Sequence, residues 1–156
     1  MNSLSNIHLS KRELVILNAT LELVAAEGLL KTSISKISKR AKSSPGIVYH
    51  YFASKDEIMD TLFISIVTEM MAFILNNVNA DGDGLVLDRY KKLWMRKYQY
   101  HLENPEKTVF IEQFKNSSYY TAERELENQQ LMGGLLLIGN ADIEKGLLVN
   151  LPLDII

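Results

Sequence analysis

The chain has 156 residues, 47% of them apolar, which is enough for a real core and too many for a disordered protein. It contains no cysteine, which removes disulfides and thiolate metal sites and suits a reducing cytoplasm, its expected location. The net charge of −2 conceals an asymmetry: residues 1–56 hold eight Lys/Arg against four Asp/Glu, whereas residues 57–156 hold nine against fifteen. A basic first third on an acidic remainder suggests a polyanion-binding head, 1–56, on a body, 57–156, that binds something else.

The N-terminus has no apolar stretch of signal-peptide length, so no secretion is expected. A first helix is predicted from Ser10, because Ser10-x-x-Glu13 has the form of a capping box. Leu14, Leu17, Leu21 and Val24 form its apolar stripe, and Gly28 supplies its C-terminal stop. A second helix is capped by Thr32 or Ser33 and runs through Ile34, Ile37 and Ala41, with Lys36, Lys39 and Arg40 exposed. The third opens on Ser44 as N-cap with Pro45 at the first helical position, where a missing N–H costs nothing. Pro45 and Tyr49 then share one side and Gly46 and His50 the adjacent one, while Val48 and Phe52 point to the core. Two short helices joined by a tight turn, the second with an exposed Tyr-His-Tyr run, present themselves as a helix-turn-helix does.

A fourth helix starts at a second box, Ser54-x-x-Glu57, and extends to about Asn76. Ile58, Leu62, Ile66, Met70, Phe73 and Ile74 form its main face, with Phe63, Val67 and Met71 on neighbouring ones. So apolar a helix is expected to be buried and to link head to body. Asn79–Gly84 is a loop. The fifth helix, about Leu85 to Leu102, carries Leu87, Tyr90, Leu93, Trp94, Tyr98 and His101. Asn104-Pro105 caps a sixth with Val109, Phe110, Ile111 and Phe114. A seventh runs from Thr121 through Leu126, Leu131, Leu135 and Ile138, with Gly133-Gly134 as a weak point or a place of close approach. Leu147–Ile156 is interrupted by Asn150, Pro152 and Asp154, so no membrane span is expected there. The predicted fold class is all-α.

The combination Ala26-Glu27-Gly28, Thr32-Ser33-Ile34-x-x-Ile37, Ser44-x-Gly46-x-Val48-Tyr49-His50-Tyr51-Phe52 and Ser54-Lys55-Asp56-Glu57-Ile58 resembles the TetR family of bacterial transcription regulators. The resemblance implies a ligand-responsive regulator, expected to be a repressor, whose homodimer binds double-stranded DNA at a near-palindromic operator. In that reading Gly46 lets the backbone approach the bases, and Tyr49 contacts a thymine methyl or a phosphate, alongside Ser44, Pro45 and His50. Thr32, Ser33 and Lys55 hold phosphates at helix starts, and Lys36 and Lys42 add attraction.

The resemblance also implies an effector pocket for an unknown small molecule in the body. Met70, Met71, Trp94, Met95, Tyr98, His101, Phe110, Gln113 and Phe114 are its candidate lining. The chain departs from the family pattern at Ser38, usually Ala, and at Lys42-Ser43, usually Gly-Val. Lys42 must therefore turn left-handed or reshape the turn, and Ser43 removes an apolar peg. It also stops before the helices that usually build the dimer, so the body is expected to be incomplete or to pair differently.

Other functions find less in the residues. There is no phosphate-binding glycine loop, nucleophile elbow or HExxH, so no catalytic residue is assigned, and an all-helical enzyme is the lesser alternative. His101 and Glu103 are two apart on a helix and do not share a face, so neither metal nor cofactor is expected. The remaining alternative is a ligand-binding or protein-interaction module that has lost DNA binding.

Overall fold

A computed structural model describes residues 9–76 and 86–148, so the Asn79–Gly84 loop and the region around Pro152 lie outside the described residues. Within them the chain is all-α: α1 (Lys11–Glu27), α2 (Ile34–Arg40), α3 (Pro45–Tyr51), α4 (Lys55–Leu75), α5 (Val86–Glu103), α6 (Pro105–Lys115), α7 (Ala122–Leu131) and α8 (Gly133–Glu144).

The helix starts follow from local hydrogen bonds. At α1 the Ser10 hydroxyl accepts the Glu13 N–H and the Glu13 carboxylate accepts the Ser10 N–H at 2.7 Å, so two orphan amides are satisfied reciprocally. Of the two candidates for the α2 cap, Ser33 takes the role, accepting the Lys36 N–H. Ser44 and Ser54 cap α3 and α4 in the same way. The second box is displaced, because the Glu57 carboxylate reaches back to the N–H of Ala53 rather than that of Ser54. Asn104 begins α6 without a side-chain cap; its amide donates to the Tyr100 carbonyl of the preceding helix instead.

Two predicted elements are corrected. Leu14 is 45% exposed, and Ile16, Thr20 and Leu23 join Leu17, Leu21 and Val24 in the buried face of α1. Because α1 packs against α2, α4 and α6, its buried surface is broader than one stripe and is turned away from Leu14. The single predicted seventh helix is two, broken at Met132. Gly134 follows the break and permits close approach to α4, since a Cβ there would lie 2.5 Å from Leu75 Cδ1.

α4 is the axis of the molecule. It buries Ile58, Met59, Leu62, Phe63, Ile66, Val67, Met70, Met71 and Ile74, and packs against α1 at one end and α5 to α8 along the rest. It is long and apolar enough to cross a membrane, but each of those nine side chains is already buried against protein. At about 1.5–3 kcal/mol per large apolar side chain, this burial is the main local force opposing the entropy of ordering the helix. The core runs without a break from α1 into α6, where Phe114 stacks on Phe63 with ring centres 4.4 Å apart.

Candidate nucleic-acid interface and body cleft

The turn between α2 and α3 sets the aim of α3. Lys42 has φ 49, so it takes the left-handed alternative. Its N–H donates to the Lys39 carbonyl, and the Ser43 N–H donates to the Ser38 carbonyl at 2.9 Å. This bond pair is a Schellman motif, with lysine where glycine is usual. Ser38 is buried, but its hydroxyl donates to the Ser35 carbonyl at 2.9 Å, which satisfies it locally. The Ser43 hydroxyl is buried with no hydrogen-bond partner among the described residues.

From this turn α3 presents the face that its spacing predicts. Val48 and Phe52 are buried in the core, and α3 packs against α2. Pro45, Gly46, Tyr49 and His50 are exposed, with the Tyr49 ring 54% accessible. Ile47 is also exposed, at 38%, and extends this face beyond the residues expected from sequence. Ser33 and Ser44 lie at the surface with their hydroxyls engaged in capping. Lys42 is exposed beside them.

Lys36 donates to the Glu27 carboxylate and to the Lys31 carbonyl, and that hydrogen bond holds the Glu27 carboxyl below its ordinary range. Both side chains are exposed, so water screens the pair and a phosphate can replace the carboxylate with little loss.

Two expected phosphate ligands are placed differently. Thr32 is 2% exposed and its hydroxyl donates to the Gly28 carbonyl at 3.0 Å. Lys55 turns inward, donating to the Leu29 carbonyl at 3.2 Å with its ammonium 5.7 Å from the centre of the Tyr119 ring. The physical reason is shared: a carbonyl has two lone pairs, and the Gly28 and Leu29 carbonyls, which already accept the Lys31 and Thr32 N–H groups, each take one of these side chains as a second donor. On the other side the Leu29 N–H donates to Gln113 Oε1 at 2.7 Å, so Leu29 is held by both α4 and α6.

In the body the expected pocket set does not converge. Met70, Met71, Phe110 and Phe114 are core residues, and Phe114 is enclosed by stacking with Phe63, Phe110 and Tyr119. Met95 and Tyr98 lie on the outer face of α5, 64% and 60% exposed. His101 Nδ1 is 2.9 Å from Thr108 Oγ1, and burial together with the nearby Lys97 charge lowers its pKa. Gln113 faces the head. Trp94 alone of the nine borders the cleft of ≈ 260 Å³ that opens between α4, α5 and the α7–α8 joint.

That cleft is lined by Ile74, Tyr90, Leu93, Trp94, Lys97, Met132 and Leu135. The α5 members are spaced i, i+3, i+4, i+7, the signal from which they could have been grouped in advance. At one end the Tyr90 hydroxyl donates to Asp142 at 3.0 Å, and Asp142, 2% exposed, is paired with Arg89. The Arg89 hydrogen bonds hold the Asp142 carboxyl below its usual range, while burial and Asp142 push the Tyr90 phenol up.

Residues 16–62 match the family model described as bacterial regulatory proteins, tetR family. An uncharacterized HTH-type transcriptional regulator of Haemophilus influenzae is 28% identical over 101 residues, which cover 65% of this chain and 53% of that protein. The HTH-type transcriptional regulator BetI of Klebsiella pneumoniae is 28% identical over 50% of this chain and 40% of its own length. The chain thus spans about half the length of these relatives, or less.

Among solved structures, a TetR family transcription regulator from Marinobacter aquaeolei superposes with a TM-score of 0.80 at 26% identity, over 90% of this chain and 73% of that one. A TetR-family regulator from Haemophilus influenzae superposes at 0.74 with 23% identity, over 93% and 77%, and shows the same fold.

Proposed function

We propose that the chain, which belongs to the TetR family of bacterial regulatory proteins, is a cytoplasmic, ligand-responsive repressor that binds double-stranded DNA as a homodimer. The observation that carries this reading is the outward face of α3. Gly46, Tyr49 and His50 stand free while Val48 and Phe52 fix the helix to a head whose residues 1–56 have eight basic groups against four acidic. A helix so anchored offers the major groove a small residue for close backbone approach and a ring for a thymine methyl or phosphate. Ser33, Lys36, Ser44 and Lys42 flank it as phosphate contacts, which orient the protein without reading sequence. Residues 1–56 form the DNA-binding unit and 57–156 the body that receives an effector and pairs with a second copy.

Regulation follows from the grip on Leu29. Its N–H is held by Gln113 of α6 and its carbonyl by Lys55 of α4, so a ligand that shifts the body helices shifts the head with them. A two-fold dimer reads two half-sites only while its recognition helices match successive major grooves, and a small displacement is sufficient to lose one.

The test is selection of duplexes from a randomised pool at moderate salt, followed by affinity measurements on the enriched sequences across a salt series. The expected result is an inverted repeat whose binding weakens steeply as salt rises. Folded protein that enriches no sequence refutes the operator-binding reading.

A further inference from the structure

We propose that the cleft between α4, α5 and the α7–α8 joint binds a small amphipathic anion, an apolar body bearing a single carboxylate, with Lys97 holding the charge. The proposal rests on the reading of the body as an effector-binding unit and names the class of its ligand.

The shape of the wall comes first. Tyr90, Leu93, Trp94 and Lys97 share one face of α5, so the wall begins at a phenol and ends at an ammonium seven residues on, about 10.5 Å along the helix at 1.5 Å per residue. Between those ends it is apolar, with Ile74 of α4 and the Met132 and Leu135 side chains completing it. The volume of ≈ 260 Å³ is just below the range of drug-sized ligand pockets, which begins at ~300 Å³, so the ligand is small.

The charge comes second. Among the described residues of the body, Arg89, Arg96, Lys97, Lys107 and Arg124 are the half-buried cations. Arg89 is held by Asp142, Lys107 by Glu69, Arg124 by Asp60 and Glu127, and Arg96 by the Phe73 carbonyl. Lys97 meets no carboxylate among the described residues; its ammonium lies 5.2 Å from the centre of the Trp94 ring. An ammonium with an aromatic face on one side and an apolar cleft on the other is partly stripped of water, and its N–H donors form short, strong bonds with an anion.

The far end comes third. The Tyr90 proton is given to Asp142, and Asp142 neutralises Arg89, so that end of the cleft, among the described residues, is a neutral paired network rather than a second cation site. One cation beside an apolar channel matches one carboxylate on an apolar tail and disfavours a cationic ligand.

Trp94 is the chain's only tryptophan and, although 63% exposed, it borders the cleft, so its emission responds to a ligand that covers the ring there. Protein without DNA is titrated with octanoate, octanol and octyltrimethylammonium. The expected result is saturable binding of octanoate about tenfold or more tighter than octanol, as a charge-assisted hydrogen bond gives, and none of the cation. Lys97→Met should retain octanol binding and lose the preference, and Lys97→Arg should restore it.

Equal binding of octanoate and octanol, tighter binding of the cation, no saturable binding, or an unchanged preference in folded Lys97→Met would each overturn the proposal. Emission that shifts with protein concentration alone would give the face to a second copy, and would overturn it too. No DNA is present, so a negative result here leaves the operator-binding reading intact, and failure to select an operator leaves this one intact.

Discussion

Replacing Lys42 by glycine should stabilise the protein, and the gain can be worked from the turn. The molecule contains the same capping arrangement twice. At the end of α8, Gly146 has φ 69 and its N–H donates to the Ile143 carbonyl, while the Leu147 N–H donates to the Asp142 carbonyl at 2.8 Å. At the end of α2 the same two bonds are made around Lys42 at φ 49. A residue with a Cβ in this region costs about 1–2 kcal/mol relative to glycine. Glycine gives back part of that, about 0.4–1 kcal/mol, through the greater freedom of its unfolded chain. The net expectation is about 0.5–1 kcal/mol of added stability, or roughly 2–4 °C per kcal/mol for a chain of this size.

The substitution also removes a charge near Lys39 and Arg40, so Lys42→Ala is the control. It loses the same charge and keeps the strain. Urea unfolding of the three proteins should place Lys42→Gly above Lys42→Ala by about 1 kcal/mol, with unchanged m-values. Equal midpoints for the glycine and alanine variants would refute the reasoning, because the backbone strain would then contribute nothing. Both variants should flatten the salt dependence of DNA binding by about one unit if Lys42 meets a phosphate.

Three further outcomes are expected. Tyr49→Ala should cost at least about 1 kcal/mol of operator affinity while leaving thermal stability within error, since the ring is exposed; unchanged affinity in a duplex-binding titration refutes its role. Ser43→Val should raise the urea midpoint by about 1 kcal/mol, because it removes a buried hydroxyl without a partner among the described residues and adds apolar contact; a lowered midpoint would show that the site cannot accept the volume. Asp142→Asn should destabilise by about 3 kcal/mol, as loss of one member of a buried ion pair does. The Asp142 carboxyl is depressed in the folded state, so its contribution is complete above its unfolded value of about 4 and fades as pH falls through the lower folded value; acid unfolding of the Asn variant should lack that component.

The helical fold was legible because its boundaries are written in short-range chemistry. Ser10, Ser33, Ser44 and Ser54 each cap the helix that follows, and Gly28 ends α1 with a positive φ. Those signals span three or four residues and need no knowledge of the rest of the molecule. The outward face of α3 was legible for the same reason, since Val48 and Phe52 are four apart and both must be buried.

The body was harder to read. In α5, Tyr90, Leu93, Trp94, Tyr98 and His101 are all aromatic or apolar, and composition does not say which flank faces α4. The structure buries Leu93 and Tyr100 and leaves Leu87 and Tyr98 outside, a rotation set by packing against α4 and α6. Lys97 was passed over because a lysine between aromatic residues on an amphipathic helix resembles any solvated charge. Its isolation becomes visible only when the partners of the other half-buried cations are known.

Thr32, Lys55 and Gln113 meet at one turn of the chain, and their common destination is informative. The first two are expected at phosphates because they stand at helix starts, and the third in an effector pocket because the family resemblance implies one. Which partner each finds depends on the backbone groups within reach, and here those lie at Gly28 and Leu29, where α1 has ended and α2 has not begun: the two carbonyls already accept the Lys31 and Thr32 N–H groups and each takes a second donor, while the Leu29 N–H has Gln113. Thr32 takes the Gly28 carbonyl, Lys55 the Leu29 carbonyl, and Gln113 the Leu29 N–H. Three elements, the start of α2, the start of α4 and the middle of α6, are thereby tied to one turn of the chain. Swinging the head on α4 would carry Leu29 away from Gln113 or pull α6 along, so these hydrogen bonds add a directional tie to the packing of α1 on α6 that already joins head and body.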